Sequence, residues 1–175
     1  MIRKILTGLA LGSVGLVLAG IGTAGASERP DLTPATIATA RFHSLDAAKA
    51  AGYAVVVQDL AGNTCIAQAG AGAMGVHYLN PALLDDSFDA TTPEALVYGP
   101  GPNGQLRLVA LEYIVFQAAW DATHAQPPSL FGQQFPLTPS PNRYGLDPFY
   151  ALHAWIWDPN PSGMFQPWNP RVVCS

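Results

Sequence analysis

A single carboxylate inside an otherwise apolar run constrains the fold of this chain more than any other feature. The run from Leu108 to Phe116 reads Leu-Val-Ala-Leu-Glu-Tyr-Ile-Val-Phe, and Glu112 is its one charged residue. Such a run, rich in β-branched and aromatic residues, predicts a strand buried on both faces or nearly so. An ionised carboxylate there loses several kcal/mol of hydration unless a cation, a metal or strong hydrogen-bond donors replace the water. Glu112 is therefore the first candidate site residue.

Two histidines interrupt other apolar, strand-like segments in the same way. His77 lies within residues 75–79, and His153 lies within residues 152–157. Because strand side chains alternate between faces, each polar residue is the one candidate ligand on an otherwise apolar face. Two imidazoles and one carboxylate are the ligand set of catalytic zinc sites and of non-haem iron facial triads. We predict that His77, Glu112 and His153 form one site for a divalent metal, with zinc favoured over iron or copper.

Two other interpretations of these residues stay open. In the first, Glu112 pairs with an arginine, for which the candidates are Arg107, Arg143 and Arg171. In the second, the histidines and the glutamate form a buried hydrogen-bonded triad without a metal, inside a non-catalytic interaction domain.

The function also depends on whether the site is accessible. An enzyme needs an open metal position for water or substrate, and a binding protein needs a pocket for a small-molecule ligand. A pocket open to solvent beside Glu112 favours these functions, whereas a sealed core favours the structural triad. Tyr78 and Tyr113 each follow a candidate ligand by one residue, so we expect them to point to the opposite face. The aromatic candidates for the pocket wall are Tyr78, Tyr113, Trp155 and Trp157.

The first residues of the chain predict export. Arg3 and Lys4 precede an uncharged stretch, and Ala24-Gly-Ala26 supplies the small-x-small pattern that signal peptidase reads. We predict a signal peptide over residues 1–26, cleaved after Ala26, and a secreted or periplasmic mature protein. An uncleaved membrane anchor is the alternative, but the five glycines between residues 8 and 22 disfavour a stable transmembrane helix. No stable membrane span is therefore expected after cleavage.

The net charge of the predicted mature chain argues against a nucleic-acid-binding function. Without Arg3 and Lys4, six Lys and Arg residues oppose twelve Asp and Glu residues, so the predicted mature chain carries −6. This balance gives no basic surface for nucleic acid.

In an oxidising compartment, Cys65 and Cys174 predict one disulfide bond that closes a loop of about 110 residues. Two free thiols that bind metal or do redox chemistry are the alternative, which the lack of a Cys-x-x-Cys motif disfavours.

The order of the predicted elements indicates the fold class. A helix is expected from Thr33 towards Gly52, with a restart at Ser44 and with Ile37 and Ala48 on the face that packs against a sheet. Strands are expected at residues 53–57, 63–66, 74–80, 93–98, 105–117, 150–157 and 171–174, with Pro- and Gly-rich turns between several of them. We predict a single α+β domain over residues 27–175. Its N-terminal helix packs on a mainly antiparallel sheet that can curl into a barrel.

Four segments carry a resemblance to a known family. They are Met-Gly-Val-His-Tyr-Leu-Asn-Pro at 74–81, Leu-Glu-Tyr at 111–113, Leu-His-Ala-Trp-Ile-Trp at 152–157, and Asn-Pro-Ser-Gly-Met-Phe-Gln-Pro-Trp-Asn-Pro at 160–170. With these motifs the chain resembles a family of exported bacterial proteins of unassigned function, from about residue 35 onwards. The resemblance implies one exported domain and brings no activity with it.

Overall fold

The computed structural model of the chain describes residues 30–174, so the predicted signal peptide over residues 1–26 lies outside the described part. Within residues 30–174, no helix combines the length and the apolar character needed to cross a lipid bilayer.

The N-terminal part of the described chain consists of short helices. Helix α1 spans Thr33–Thr39, a 3₁₀ turn spans Ala40–His43, and helix α2 spans Leu45–Ala50. The predicted restart at Ser44 is present, since its side chain accepts a hydrogen bond from the backbone N–H of Ala47 at 3.3 Å. The expectation for Ile37 was wrong, because its residue surface is 73% exposed. The tighter 3₁₀ turn changes the helical phase, so the buried residues before Ser44 are Ala35, Thr39 and Phe42, whereas Ala48 is buried as predicted.

One antiparallel sheet forms the centre of the fold. The strands and the third helix are β1 Val55–Val56, β2 Cys65–Gln68, β3 Gly72–Leu79, β4 Ala95–Pro100, β5 Leu106–Phe116, α3 Gln117–Asp121, β6 Ser129–Leu130, β7 Gln133–Gln134, β8 Leu137–Thr138 and β9 Phe149–Ala154. The strands of the central sheet pair in the order β1-β3-β4-β5-β9-β8, and β2 pairs with the part of β3 that β1 leaves free. Strands β6 and β7 form a separate small hairpin.

The predicted α+β composition and the mainly antiparallel sheet are confirmed, but the sheet does not close into a barrel. Within residues 30–174, the edge strands β1 and β8 do not pair with each other. Both are only two residues long. Strand β8 lies between Pro136 and Pro139, which lack the N–H group that a longer ladder would need. The edge therefore ends at β8, where closure would require a long, regular strand.

The two faces of the sheet differ in what covers them. One face carries Tyr98, Leu111 and Leu152, which belong to the same apolar cluster as Phe42 and Ala48 of the helical part. The hydroxyl of Tyr98 donates a hydrogen bond to the carbonyl oxygen of Phe42 at 2.6 Å. The other face carries His77, Glu112 and His153, together with a second, smaller apolar cluster formed by Ala73, Val97, Val109, Ala110, Trp155 and Val172.

The C-terminal segment is tied to the edge of the sheet at β2 and β3. Asn169 and Ala73 exchange two backbone hydrogen bonds, of 3.0 and 3.1 Å. The disulfide bond between Cys65 and Cys174 is present, with Cα atoms 5.7 Å apart, which confirms the predicted pairing. Residues 165–168 are thereby held over the face that carries the histidines and the glutamate.

Candidate metal site

Strand register brings the predicted ligands together. Glu112 on β5 is the direct cross-strand partner of His153 on β9, so the two side chains share a face. On its other side, Glu112 pairs with Ala95 on β4. His77 on β3 pairs with Val97, one row further along β4. His77 therefore approaches Glu112 diagonally across β4, over two strand spacings or roughly 9.5 Å.

An irregularity in β3 sets which residues of that strand face the site. Met74 and His77 both line the same cavity, although residues three apart in a regular strand point to opposite faces. The pairing with β2 shifts register at this point, and Gly75 has a φ of +111°. A Cβ atom at this position would lie 2.5 Å from the carbonyl oxygen of Tyr98. Glycine is therefore required at this bulge, which aims both flanking side chains at the cavity.

The carboxylate of Glu112 lies between the two imidazoles. Oε2 of Glu112 is 3.2 Å from Nε2 of His77, and Oε1 is 3.3 Å from Nδ1 of His153. One ligand atom from each residue lies within 4.8 Å of the other two. Donor atoms around one tetrahedral ion with bonds of roughly 2.0–2.2 Å lie about 3.3–3.6 Å apart. Small side-chain shifts therefore suffice to bring all three donors onto one cation.

The other nitrogen of each imidazole is buried without a hydrogen-bond partner. These atoms are Nδ1 of His77 and Nε2 of His153, and the statement applies to residues 30–174. Buried ring nitrogens normally have a partner, because an unpaired polar group loses its hydration without compensation. A cation bound at the nitrogens that face Glu112 would leave these two atoms unpaired, so their lack of a partner does not by itself point to a metal.

Burial and mutual contact set the protonation of the site. Burial lowers the pKa of His77 to about 4, against the charge of Glu112, which raises it. Burial raises the pKa of Glu112, but the two imidazoles lower it by more, to about 2. At neutral pH, Glu112 is therefore ionised and His77 is neutral. A divalent cation requires both of these states in its ligands.

The arginine alternative for Glu112 is not realised in the described residues. Arg143 forms an ion pair with Asp59 at 2.9 Å, and Arg107 forms one with Asp158 at 2.7 Å. Within residues 30–174, the ion-pair partners of Glu112 are the two imidazoles alone.

A cavity of about 430 Å³ opens beside Glu112. Its floor is formed by β3, β5 and β9, and residues 136–146 and 165–168 cover it. The side chain of Glu112 is 11% exposed, compared with 4% for His77 and 2% for His153. Solvent therefore reaches the site through the carboxylate side. An open pocket is the condition under which an enzyme or a ligand-binding protein is favoured over a sealed structural triad.

The four aromatic candidates for the pocket wall lie elsewhere in the fold. Tyr78 and Tyr113 belong to the apolar cluster on the opposite face, as expected for residues that follow a ligand by one position. Trp155 packs in the smaller cluster near Val97, with its ring centroid 5.5 Å from that of His153. Trp157 lies beyond the end of β9, and its indole N–H donates to the hydroxyl of Thr39 at 3.3 Å.

Several residues of the cavity carry no signal in the sequence. Arg143 and Tyr144 enter the wall from the Pro-rich segment after β8, which has no periodicity to indicate its direction. The hydroxyl of Tyr144 lies 3.7 Å from the sulfur of Met74. Burial and the charge of Glu112 raise the pKa of Tyr144, so this hydroxyl stays protonated and acts as a donor.

No protein-family model, curated protein or solved structure matches this chain.

Proposed function

We propose that this chain is an exported protein that binds a divalent transition metal through His77, Glu112 and His153. One observation carries the proposal: three donors from three strands converge within 4.8 Å in apolar surroundings, beside an open cavity. A site of two imidazoles and a carboxylate favours zinc over iron or copper, and zinc needs no redox protection outside the cytoplasm. Such a metal supplies Lewis-acid chemistry at an open coordination position, and we name no reaction for it.

The disulfide bond supports an extracytoplasmic location. A bond between Cys65 and Cys174 persists in an oxidising compartment such as the periplasm or the extracellular medium. The predicted signal peptide over residues 1–26 and the resemblance to exported bacterial proteins favour the same location. We propose a mature single domain over residues 27–175 that is secreted or periplasmic. N-terminal sequencing of the exported protein tests the cleavage after Ala26.

Elemental analysis of purified protein tests the metal. The wild-type protein is expected to hold about one equivalent of zinc, whereas Glu112→Gln keeps the size but removes the charge and is expected to lose most of it. Glu94→Gln is the matched control, because Glu94 is another carboxylate that is 2% exposed but belongs to no cluster with the histidines. The control is expected to keep its zinc. A folded wild-type protein that binds none of Zn²⁺, Fe²⁺ and Cu²⁺ would refute the proposal.

A second candidate function is a metal-free, non-catalytic domain that holds a small ligand or a partner. The separations of 3.2 and 3.3 Å favour it, because they also suit hydrogen bonds from the two imidazoles to Glu112. In that case, Glu112→Gln lowers the free energy of unfolding by about 1–3 kcal/mol, because one buried imidazole loses its acceptor, and there is no metal to lose. Melting curves with and without a chelator separate the two functions, since only a metalloprotein loses stability when the chelator is added.

A further inference from the structure

We propose that the cavity holds a medium-chain aliphatic acyl compound, with its oxygen headgroup at the histidines and the glutamate and its chain along β5 and β9. The inference rests on the proposed function, because the metal is what would hold the headgroup.

The floor of the cavity is an apolar trough along two neighbouring strands. Behind the pair of Glu112 and His153 come two further cross-strand pairs on the same face, Ile114 with Ala151 and then Phe116 with Phe149. Four residues of strand separate the first pair from the last, a length of roughly 13 Å. The trough is therefore elongated, and only its first pair carries polar groups.

The cover of the trough is also mostly apolar. Leu146, Phe165 and Trp168 lie over it, and Leu79 lies at its side. The volume of about 430 Å³ is in the range of pockets that bury a small organic molecule, roughly 300–1,000 Å³. A chain that fills this space removes its own apolar surface and that of the walls from water.

The other polar groups in the wall are mostly occupied. Arg143 donates to Asp59 at 2.9 Å and to the carbonyl oxygen of Ala67 at 3.1 Å, so its charge is neutralised. The side-chain amide of Asn142 is bonded within its own loop. Thr138 pairs with Phe149 and therefore lies at the far end of the trough.

The hydroxyl of Tyr144 is the donor that a ligand can recruit. Its present partner is the thioether of Met74, 3.7 Å away, which is a weak acceptor. An oxygen headgroup bound at the metal is a stronger acceptor. The cavity therefore offers one polar end and one long apolar body, which matches an acyl compound with a single headgroup better than a sugar or a peptide.

Two hydroxamates with the same headgroup test the length of the chain. Zinc-loaded protein is titrated with acetohydroxamate and with octanohydroxamate, and binding is measured by calorimetry. Each methylene that enters the trough strengthens binding by roughly fourfold, so octanohydroxamate is expected to bind at least about a hundredfold more tightly.

A variant with a filled trough shows whether the gain comes from this site. In Ala151→Leu a larger side chain occupies the second pair of the trough, so the advantage of octanohydroxamate is expected to fall to less than about tenfold while acetohydroxamate still binds. Leu152→Met is the matched control, because Leu152 is the next residue of β9 and faces the opposite cluster. It is expected to keep the full advantage.

The outcomes separate this inference from the proposed function. If the protein holds zinc but binds both hydroxamates equally, or if Ala151→Leu keeps the full advantage, the acyl ligand is refuted and the metal site stands. If the folded protein binds none of Zn²⁺, Fe²⁺ and Cu²⁺, both proposals fail together.

Discussion

Ala95 on β4 and Glu112 on β5 are direct cross-strand partners, and β4 separates Glu112 from the strand that carries His77. Ala95 is fully buried, so a larger side chain there has to displace its neighbours. We expect Ala95→Leu to separate the imidazole of His77 from the carboxylate and to weaken zinc binding by about 10- to 100-fold. Titration against a competing chelator measures this change.

The matched control for Ala95→Leu is Leu96→Met, which alters the next residue of β4 on the opposite face with little change in volume. It is expected to leave zinc affinity unchanged. Unaltered affinity in a folded Ala95→Leu protein would show that His77 is not a ligand.

Gly75 positions His77 through a backbone conformation that other residues rarely adopt. In Gly75→Ala the new Cβ atom combines a φ of +111° with an approach of 2.5 Å to the carbonyl oxygen of Tyr98. We expect a loss of at least about 3 kcal/mol in the free energy of unfolding, measured with urea. Gly70→Ala is the control, since Gly70 has a φ of +78° but no atom within 4 Å of the added Cβ. In Gly70→Ala only the strain of the positive φ remains, which should cost about 1 kcal/mol. If both variants lose the same free energy of unfolding, the close contact at position 75 adds nothing and this explanation is wrong.

The disulfide bond joins residues 109 positions apart. In the chain-entropy model, such a closure stabilises the fold by up to about 4–5 kcal/mol. The double variant Cys65→Ser and Cys174→Ser is expected to lose stability of this order in denaturant unfolding. Mass spectrometry of the non-reduced wild-type protein should show the linked peptides. Complete alkylation of both cysteines without a reductant would refute the bond.

Glu94 makes stability depend on pH. Burial raises its pKa from an ordinary value of 4.5 to about 8, although its carboxylate accepts a hydrogen bond from the backbone N–H of Ile114 at 2.8 Å. Between these two values the folded state binds more protons than the unfolded state. Glu94 therefore stabilises the fold below pH 4.5, and this contribution is lost as the pH rises through 8.

Glu94→Gln removes this titration but keeps an oxygen that can accept from Ile114. We expect the stability of the variant relative to wild type to increase steadily from pH 5 to about pH 8.5, as measured by urea unfolding at each pH. Asp86→Asn, which changes an exposed carboxylate, should show no comparable increase. If the difference in free energy of unfolding between Glu94→Gln and wild type does not change with pH, the carboxyl group of Glu94 does not titrate in that range.

The three donors could be predicted because each interrupts an apolar strand, and burying a polar group there needs a compensating partner. The way in which these donors pair across the sheet could not be predicted. The register of Glu112 with His153 depends on the long-range order of the strands and not on a local sequence pattern. The bulge at Gly75 was equally hidden, since the alternation of side chains assumes a regular strand.

The errors of the sequence-based prediction have physical reasons. Ile37 was assigned to the buried face on the assumption of one continuous helical phase, which the 3₁₀ turn before Ser44 interrupts. The barrel was one outcome open to a mainly antiparallel sheet, but the prolines around β8 end the ladder. Arg143 was predicted only as a candidate ion-pair partner of Glu112, and Tyr144 was missed, because an irregular segment carries no periodicity that would place its side chains.

The bond between Cys65 and Cys174 also has a consequence for the order of events during biogenesis. His153 and the covering residues 165–168 are synthesised long after His77, and the bond that anchors this last segment forms only once Cys174 reaches an oxidant. A nascent chain lacks the third donor until His153 has been synthesised, and until the bond forms the covering segment is held by noncovalent contacts alone. If the chain is exported and binds a metal as proposed, the cover is fixed over the site outside the cytoplasm, where the metals of that compartment are available.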